Sequence, residues 1–216
     1  LLLKVASYIT DPVTTTDELI PSGETSSYRS NPERLSEFAL SRRDPQYVGR
    51  SKVMRQIERD REAGKALPEE VMKVYEALTK AGIANDPANT DIGSTIFANM
   101  PGDGSAREQA ASCQRVMGAS ANFAKQYATK RYRSNCINWG MVPFLVEDPE
   151  VFELGDYIFV PGIREAVLEN KASFSAYAVK PDGTVTEFPV STGALTEAER
   201  QIIADGCLIN YYRNNQ

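Results

Sequence analysis

Histidine is missing from all 216 residues. An imidazole base, a Ser-His-Asp triad and a His-held metal are therefore excluded as chemistry for this chain. Cysteine is nearly as scarce, and Cys113, Cys136 and Cys207 lie far apart with no Cys-x-x-Cys pair. An odd, scattered set argues against a secreted disulfide framework and fits a reducing compartment, so a cytoplasmic location is expected. No apolar run approaches the roughly 20 residues that a bilayer span needs, and no charged-then-apolar leader opens the chain. Neither sign of charge dominates, with 24 basic against 29 acidic residues and a formal net charge of -5. That mixture leaves no polybasic nucleic-acid footprint and no acidic tail.

What is present is the composition of a globular domain, 42% hydrophobic and 25% charged, enough to bury one substantial core. One domain over residues 1–216 is expected. The opening at Leu1, directly into an apolar run, reads as a cut from a longer polypeptide.

Residues 1–9 form an expected strand, followed by a polar turn over 14–23 that closes on Pro21 and Gly23. From Asn31 to Gly82 the pattern is helical, most plainly where Val71, Val74, Tyr75 and Leu78 repeat at i, i+3, i+4 and i+7. The basic run Arg42, Arg43, Arg50, Lys52, Arg55, Arg59 and Arg61 alternates with acids and reads as a solvated helix face. A buried strand is expected over 91–100, a helix from Ser105 to Gly118, a strand over 121–125, a helix over 127–139 and a strand over 141–146. Residues 172–180 and 184–190 then pair as a β-hairpin across Pro181-Asp182-Gly183, and Thr196-x-x-Glu199 opens a last helix as a capping box. Strands alternating with helices, with an added hairpin, predict a mixed α/β domain with a partly parallel central sheet.

The segment richest in chemistry is Gly102-Asp103-Gly104-Ser105-Ala106-Arg107-Glu108-Gln109-Ala110. It delivers a serine and an arginine to the first turn of a helix, where free N–H groups and the helix dipole attract carboxylate or phosphate. The same residues allow a plainer reading, because Ser105-x-x-Glu108 also has the form of a capping box. Asp17 likewise fits an Asx- or ST-type turn.

The nine-residue segment resembles the Gly-Glu-Gly-Ser-Ser-Arg-Glu-His-Ala motif of the aconitase family's swivel domain. Two further stretches are similar in the same order: Thr15-Thr16-Asp17 through Tyr28-Arg29, and Ala124-Lys125 through Arg133-Ser134-Asn135 to Asn138-x-Gly140-Met141-Val142-Pro143. The likeness is weakest between Pro32 and Asn89, where residues 32–88 form a helical insertion. It implies a swivel-type α/β domain whose mixed central sheet is flanked by helices and carries a C-terminal β-hairpin. By the same likeness Ser105 is the catalytic base, Arg107 and the Ala106 backbone contact substrate, Arg29 clamps a carboxylate and Asp17 is a charged catalytic partner. Two departures stand out: Ala106 replaces the motif's second serine, and Gln109 replaces its histidine, keeping a hydrogen-bonding group but not one that can be charged.

The implied reaction is dehydration and rehydration of a citrate/isocitrate-type hydroxy acid through cis-aconitate. A 3-isopropylmalate or homoaconitate isomerase domain is the alternative within enzymes, and a non-catalytic anion-binding interaction domain the alternative outside them. The family's cofactor is a four-iron four-sulfur cluster, which none of the three cysteines here has the spacing to hold. The resemblance therefore implies cluster-bearing N-terminal domains, in the same polypeptide or on another subunit, as partner, and a small di- or tricarboxylic acid as substrate. By itself the chain is expected to be inactive.

Overall fold

The computed structural model describes the backbone of residues 1–216 and every side chain except those of Ser22 and Glu24. In chain order come β1 (Leu2–Ile9), β2 (Thr14–Thr15), α1 (Thr16–Leu19), α2 (Ser22–Thr25), a 3-10 turn (Ser26–Tyr28), α3 (Pro32–Ser36), α4 (Tyr47–Glu62) and α5 (Glu69–Lys80). The second part runs β3 (Ile92–Ala98), β4 (Pro101–Asp103), α6 (Arg107–Val116), β5 (Ala119–Ala124), α7 (Lys130–Asn138), β6 (Val142–Leu145), β7 (Tyr157–Phe159), α8 (Ile163–Leu168), β8 (Phe174–Val179), β9 (Val185–Val190), α9 (Glu197–Asp205) and α10 (Leu208–Asn214).

A seven-stranded sheet in the order β6-β5-β3-β1-β7-β8-β9 holds the molecule together. Strands β6, β5, β3 and β1 are parallel, and β7, β8 and β9 continue the sheet antiparallel. Strand β3 is buried at every position, as expected of a parallel strand covered on both faces. The two edges meet where Leu145 and Ser191 exchange backbone hydrogen bonds of 2.7 and 3.1 Å, so the sheet curls back on itself.

All seven strands contribute side chains to one core, among them Leu3, Phe97, Phe123, Phe144, Ile158, Ala176 and Phe188. Phe152 fills its centre, with ring centroids of Tyr8, Phe97, Phe123 and Phe188 between 5.5 and 5.9 Å away. Phe152→Ala is expected to cost about 3–5 kcal/mol, read from the midpoint of a denaturant titration, because so many neighbours cannot collapse into the void. Other buried clusters lie under α4 and α5, where Val71, Val74, Tyr75 and Leu78 point inward at the predicted helical spacing, and against α6 and α7.

Several boundaries shift from the expected ones. The helix expected from Ser105 begins at Arg107, and the helix expected over 127–139 begins at Lys130, capped by Thr129. The hairpin forms with Val179 opposite Val185, the Asp182 carboxylate accepting from Thr184 N at 2.9 Å. Strand β7 and helices α8 and α10 went unforeseen, since each is too short to display a period. The basic run is more than a solvated helix face. Arg42 and Arg43 pair with Asp17 and Asp11, tying the insertion to the rest of the fold, and Arg50, Lys52, Arg55 and Arg61 pair with Asp44, Glu37, Glu33 and Glu58 within it.

Candidate active site

Parallel sheets open their ligand-binding crevices at the carboxyl ends of the strands. Here β1 and β3, neighbours in the sheet, run on into β2 and β4, which pair as a small second sheet with Thr14 opposite Pro101 and Thr15 opposite Asp103. The Asn99 amide seals the two connections, donating to Thr10 O at 2.9 Å and Asp11 O at 3.0 Å. The loop after β5 underlies the same turn: Lys125 N and Gln126 N reach Asn99 O, and Ala128 N reaches Pro101 O at 3.0 Å. Three connections from adjacent strands thus converge on residues 99–105.

Two glycines shape that turn. Gly102 has φ +102°, and a Cβ there would lie 2.5 Å from the Tyr132 ring. Gly104 has φ +136°, and a Cβ there would lie 2.2 Å from Thr16 Oγ1. The second contact puts the start of α1, and with it Asp17, directly beside the turn that carries Ser105.

Ser105 is exposed and does not cap α6. The cap position is Ala106 (φ -83°, ψ 47°), with no side-chain hydrogen bond, so the capping box that Ser105 and Glu108 allow on paper is not formed. Glu108 instead accepts from Trp139 Nε1 at 3.2 Å. The hydroxyl of Ser105 is left available at the positive end of a ten-residue helix. Arg107, the first residue of α6, is half-buried, and its Nε is sealed from solvent without a hydrogen-bond partner among the described residues. Asp17 is exposed on the first turn of α1 and accepts from Arg42 Nη1 at 2.9 Å. The Thr15 side chain caps that turn in a capping box with Glu18.

Arg29 follows the 3-10 turn and is exposed, with no ion pair to a described residue. Tyr28 beside it is fixed by stacking on Phe38 at 5.4 Å and by the Arg34 guanidinium 4.8 Å from its ring centre. The structure brings Asp17, Ser105, Ala106 and Arg107 onto one rim. It places Arg29 on a separate turn next to α3, the helix that packs on α6, with no hydrogen bond from Arg29 to the other four. Thr16, Asn99 and Tyr132 shape the rim too. Asn99 stands in the turn-forming run Asn99-Met100-Pro101-Gly102, whereas nothing in the pattern marks Tyr132.

The thiols do not fit an iron-sulfur cluster. Cys113 and Cys136 are fully buried, and burial pushes the Cys136 thiol up to about 12 and that of Cys113 upward as well, opposite to what a thiolate ligand needs. Among the described residues no group of three or more Cys, Asp or Glu side chains could hold a metal ion. Alkylation of the native chain at mildly alkaline pH is expected to modify Cys207, which is partly exposed, and to spare the other two, as counted by intact-mass spectrometry.

No family model matches the sequence. The fold is that of a 3-isopropylmalate dehydratase from Methanocaldococcus jannaschii, with a TM-score of 0.60 at 19% identity over 100% of this chain and 95% of that one. Fold and rim together define a swivel-type α/β domain. In sequence, a methanogen homoaconitase small subunit from the same organism is 30% identical over 138 residues, 63% of this chain and 72% of that protein. The chain belongs to the aconitase family, in its branch of swivel-type small subunits.

Proposed function

We propose that this chain is the swivel-type subunit of a hydro-lyase that removes and re-adds water on a hydroxy di- or tricarboxylic acid. Its partner is a large subunit, which in the aconitase family carries the four-iron four-sulfur cluster. The single domain spans 1–216, with 32–88 inserted into it. The observation that carries the reading is the exposed hydroxyl of Ser105 at the N-terminus of α6, two residues before Arg107, whose Nε is sealed without a hydrogen-bond partner among the described residues. The small subunit and the dehydratase to which the chain is similar favour a homoaconitate or isopropylmalate type of substrate over citrate.

The reaction takes a proton from a carbon next to a carboxylate, so negative charge builds on the carboxylate oxygens. Arg107 and the Ala106 N–H at the head of α6 are donors fixed in place before the charge develops. Ser105 Oγ receives the proton, and its alkoxide is stabilised by the helix terminus and the adjacent cation. Asp17, tied to Arg42, keeps a negative charge at the edge of the rim. Arg29, with no ion pair to a described residue, suits a second carboxylate of the substrate. Expulsion of the neighbouring hydroxyl needs an electrophile that none of these residues provides.

The test uses the two-subunit enzyme and three acids, cis-homoaconitate, isopropylmalate and cis-aconitate, followed by ultraviolet absorbance of the double bond. Hydro-lyase turnover is expected with one of the first two. Arg107→Gln should lower kcat/KM about ten- to hundredfold, the value of hydrogen bonds to a charged group. An Arg107→Gln enzyme as active as its parent would remove this residue from the site.

A further inference from the structure

The Gly102–Ser105 turn has a floor made by one side chain. Gly102 lies against the Tyr132 ring so closely that a Cβ would come within 2.5 Å of it. The ring is fully buried, and its hydroxyl is held by partners from two other elements: it accepts from Asn122 Nδ2 of β5 at 3.0 Å and donates to Gln114 Oε1 of α6 at 3.3 Å. Burial keeps the phenol well above its ordinary pKa, so it stays protonated and the donor and acceptor roles are both retained. Tyr132 N is itself bound by Thr129 Oγ1 at 3.1 Å, and the same hydroxyl lies 3.4 Å from Gly102 O. The floor is therefore locked to α6, α7 and β5 at once, and the turn that carries Ser105 rests on it.

We propose that Tyr132 is a positioning residue for Ser105, holding the serine hydroxyl at the head of α6 by supporting Gly102 from beneath. This rests on the hydro-lyase reading above. Two features separate the role from plain core packing. The ring contacts the backbone of the reactive turn, which has no side chain at Gly102 with which to adjust. One of the two hydroxyl bonds runs to Gln114 on the helix whose first turn carries Arg107, so the ring sets turn and helix relative to each other. Loss of the hydroxyl frees the ring to shift, and displacement of a reacting group by about 1 Å costs on the order of a hundredfold in rate.

The experiment compares Tyr132→Phe, which keeps the ring and removes only the hydroxyl, and Tyr132→Leu, which removes the floor, in the two-subunit enzyme. Tyr132→Phe is expected to lower kcat about tenfold with KM within about twofold of the parent, and Tyr132→Leu to lower kcat about a hundredfold. Hydrogen exchange at residues 102–107 should speed up in both variants, while the β8–β9 hairpin exchanges as in the parent. Unchanged kcat in both variants, or faster exchange spread evenly over turn and hairpin, overturns the proposal. A parent enzyme that turns over none of the three acids sinks the hydro-lyase reading instead. Exchange at the turn then decides alone: local acceleration keeps Tyr132 as its support, and none removes it.

Discussion

Ser105→Ala in the two-subunit enzyme is expected to lower kcat by about 10²- to 10⁴-fold, the range that a positioned acid-base group contributes. The stability of the chain should stay within about 0.5 kcal/mol of the parent, as for surface substitutions away from caps and cores. These two halves of the result belong together. Had Ser105 capped α6, its loss would cost about 1 kcal/mol in stability and nothing specific in catalysis. The cap is Ala106 and has no side-chain hydrogen bond, so the stability arm is predicted to be silent. The exposed hydroxyl at the head of α6, two residues before Arg107, predicts the loss of rate. Rate measurements at equal partner loading, together with thermal unfolding of each chain, check both arms. A variant with parent-like kcat would return Ser105 to the surface and leave the reaction without its base.

Gly104→Ala and Gly102→Ala are expected to destabilise the chain by about 3 kcal/mol or more each, from two additive physical causes. A left-handed or more extreme positive φ costs a residue with a Cβ about 1–3 kcal/mol. Overpacking a filled site costs about 1–3 kcal/mol more. At Gly104 the new methyl meets Thr16 Oγ1 at 2.2 Å, and at Gly102 it meets a buried ring at 2.5 Å that is fixed by its hydroxyl. Gly64 is the internal control: φ is +80°, yet nothing lies within 4 Å of the added Cβ. Gly64→Ala should therefore cost only about 1–2 kcal/mol. Denaturant midpoints of the three variants give the comparison. If Gly104→Ala were no worse than Gly64→Ala, the close approach of the α1 start to the Ser105 turn would not exist.

Much of the fold was legible before any coordinates, and for identifiable reasons. Helix α5 shows its buried face because four apolar residues repeat at helical spacing, and α9 announces its start through Thr196 and Glu199, whose reciprocal hydrogen bonds form as drawn. The β8–β9 hairpin is marked by Pro181-Asp182-Gly183. The short elements β2, β4 and β7 escaped, because two or three residues carry no period and form only where a neighbouring strand offers its edge. Of the site, the residue types were legible on one helix start, but their use was not. A sequence cannot choose between Ser105 as cap and Ser105 as free hydroxyl, since both place the same oxygen one turn from the same amides.

The sequence by itself determined what chemistry is excluded and which residues are candidates. Without histidine, and with three scattered cysteines, this chain has neither an imidazole base nor a cluster-ligand set, whereas Ser105, Arg107, Arg29 and Asp17 could be named only through the resemblance to the aconitase family. Only the tertiary structure decided which of them meet. Asp17 and Ser105 are 88 positions apart and become neighbours because β1 and β3 lie side by side and parallel, so that both chains emerge at the same edge and pair again as β2 and β4. Arg29 shares that neighbourhood only through α3, and Tyr132 enters it through a ring beneath a glycine. Contacts of this kind depend on packing between distant segments, and no local pattern of residues records them.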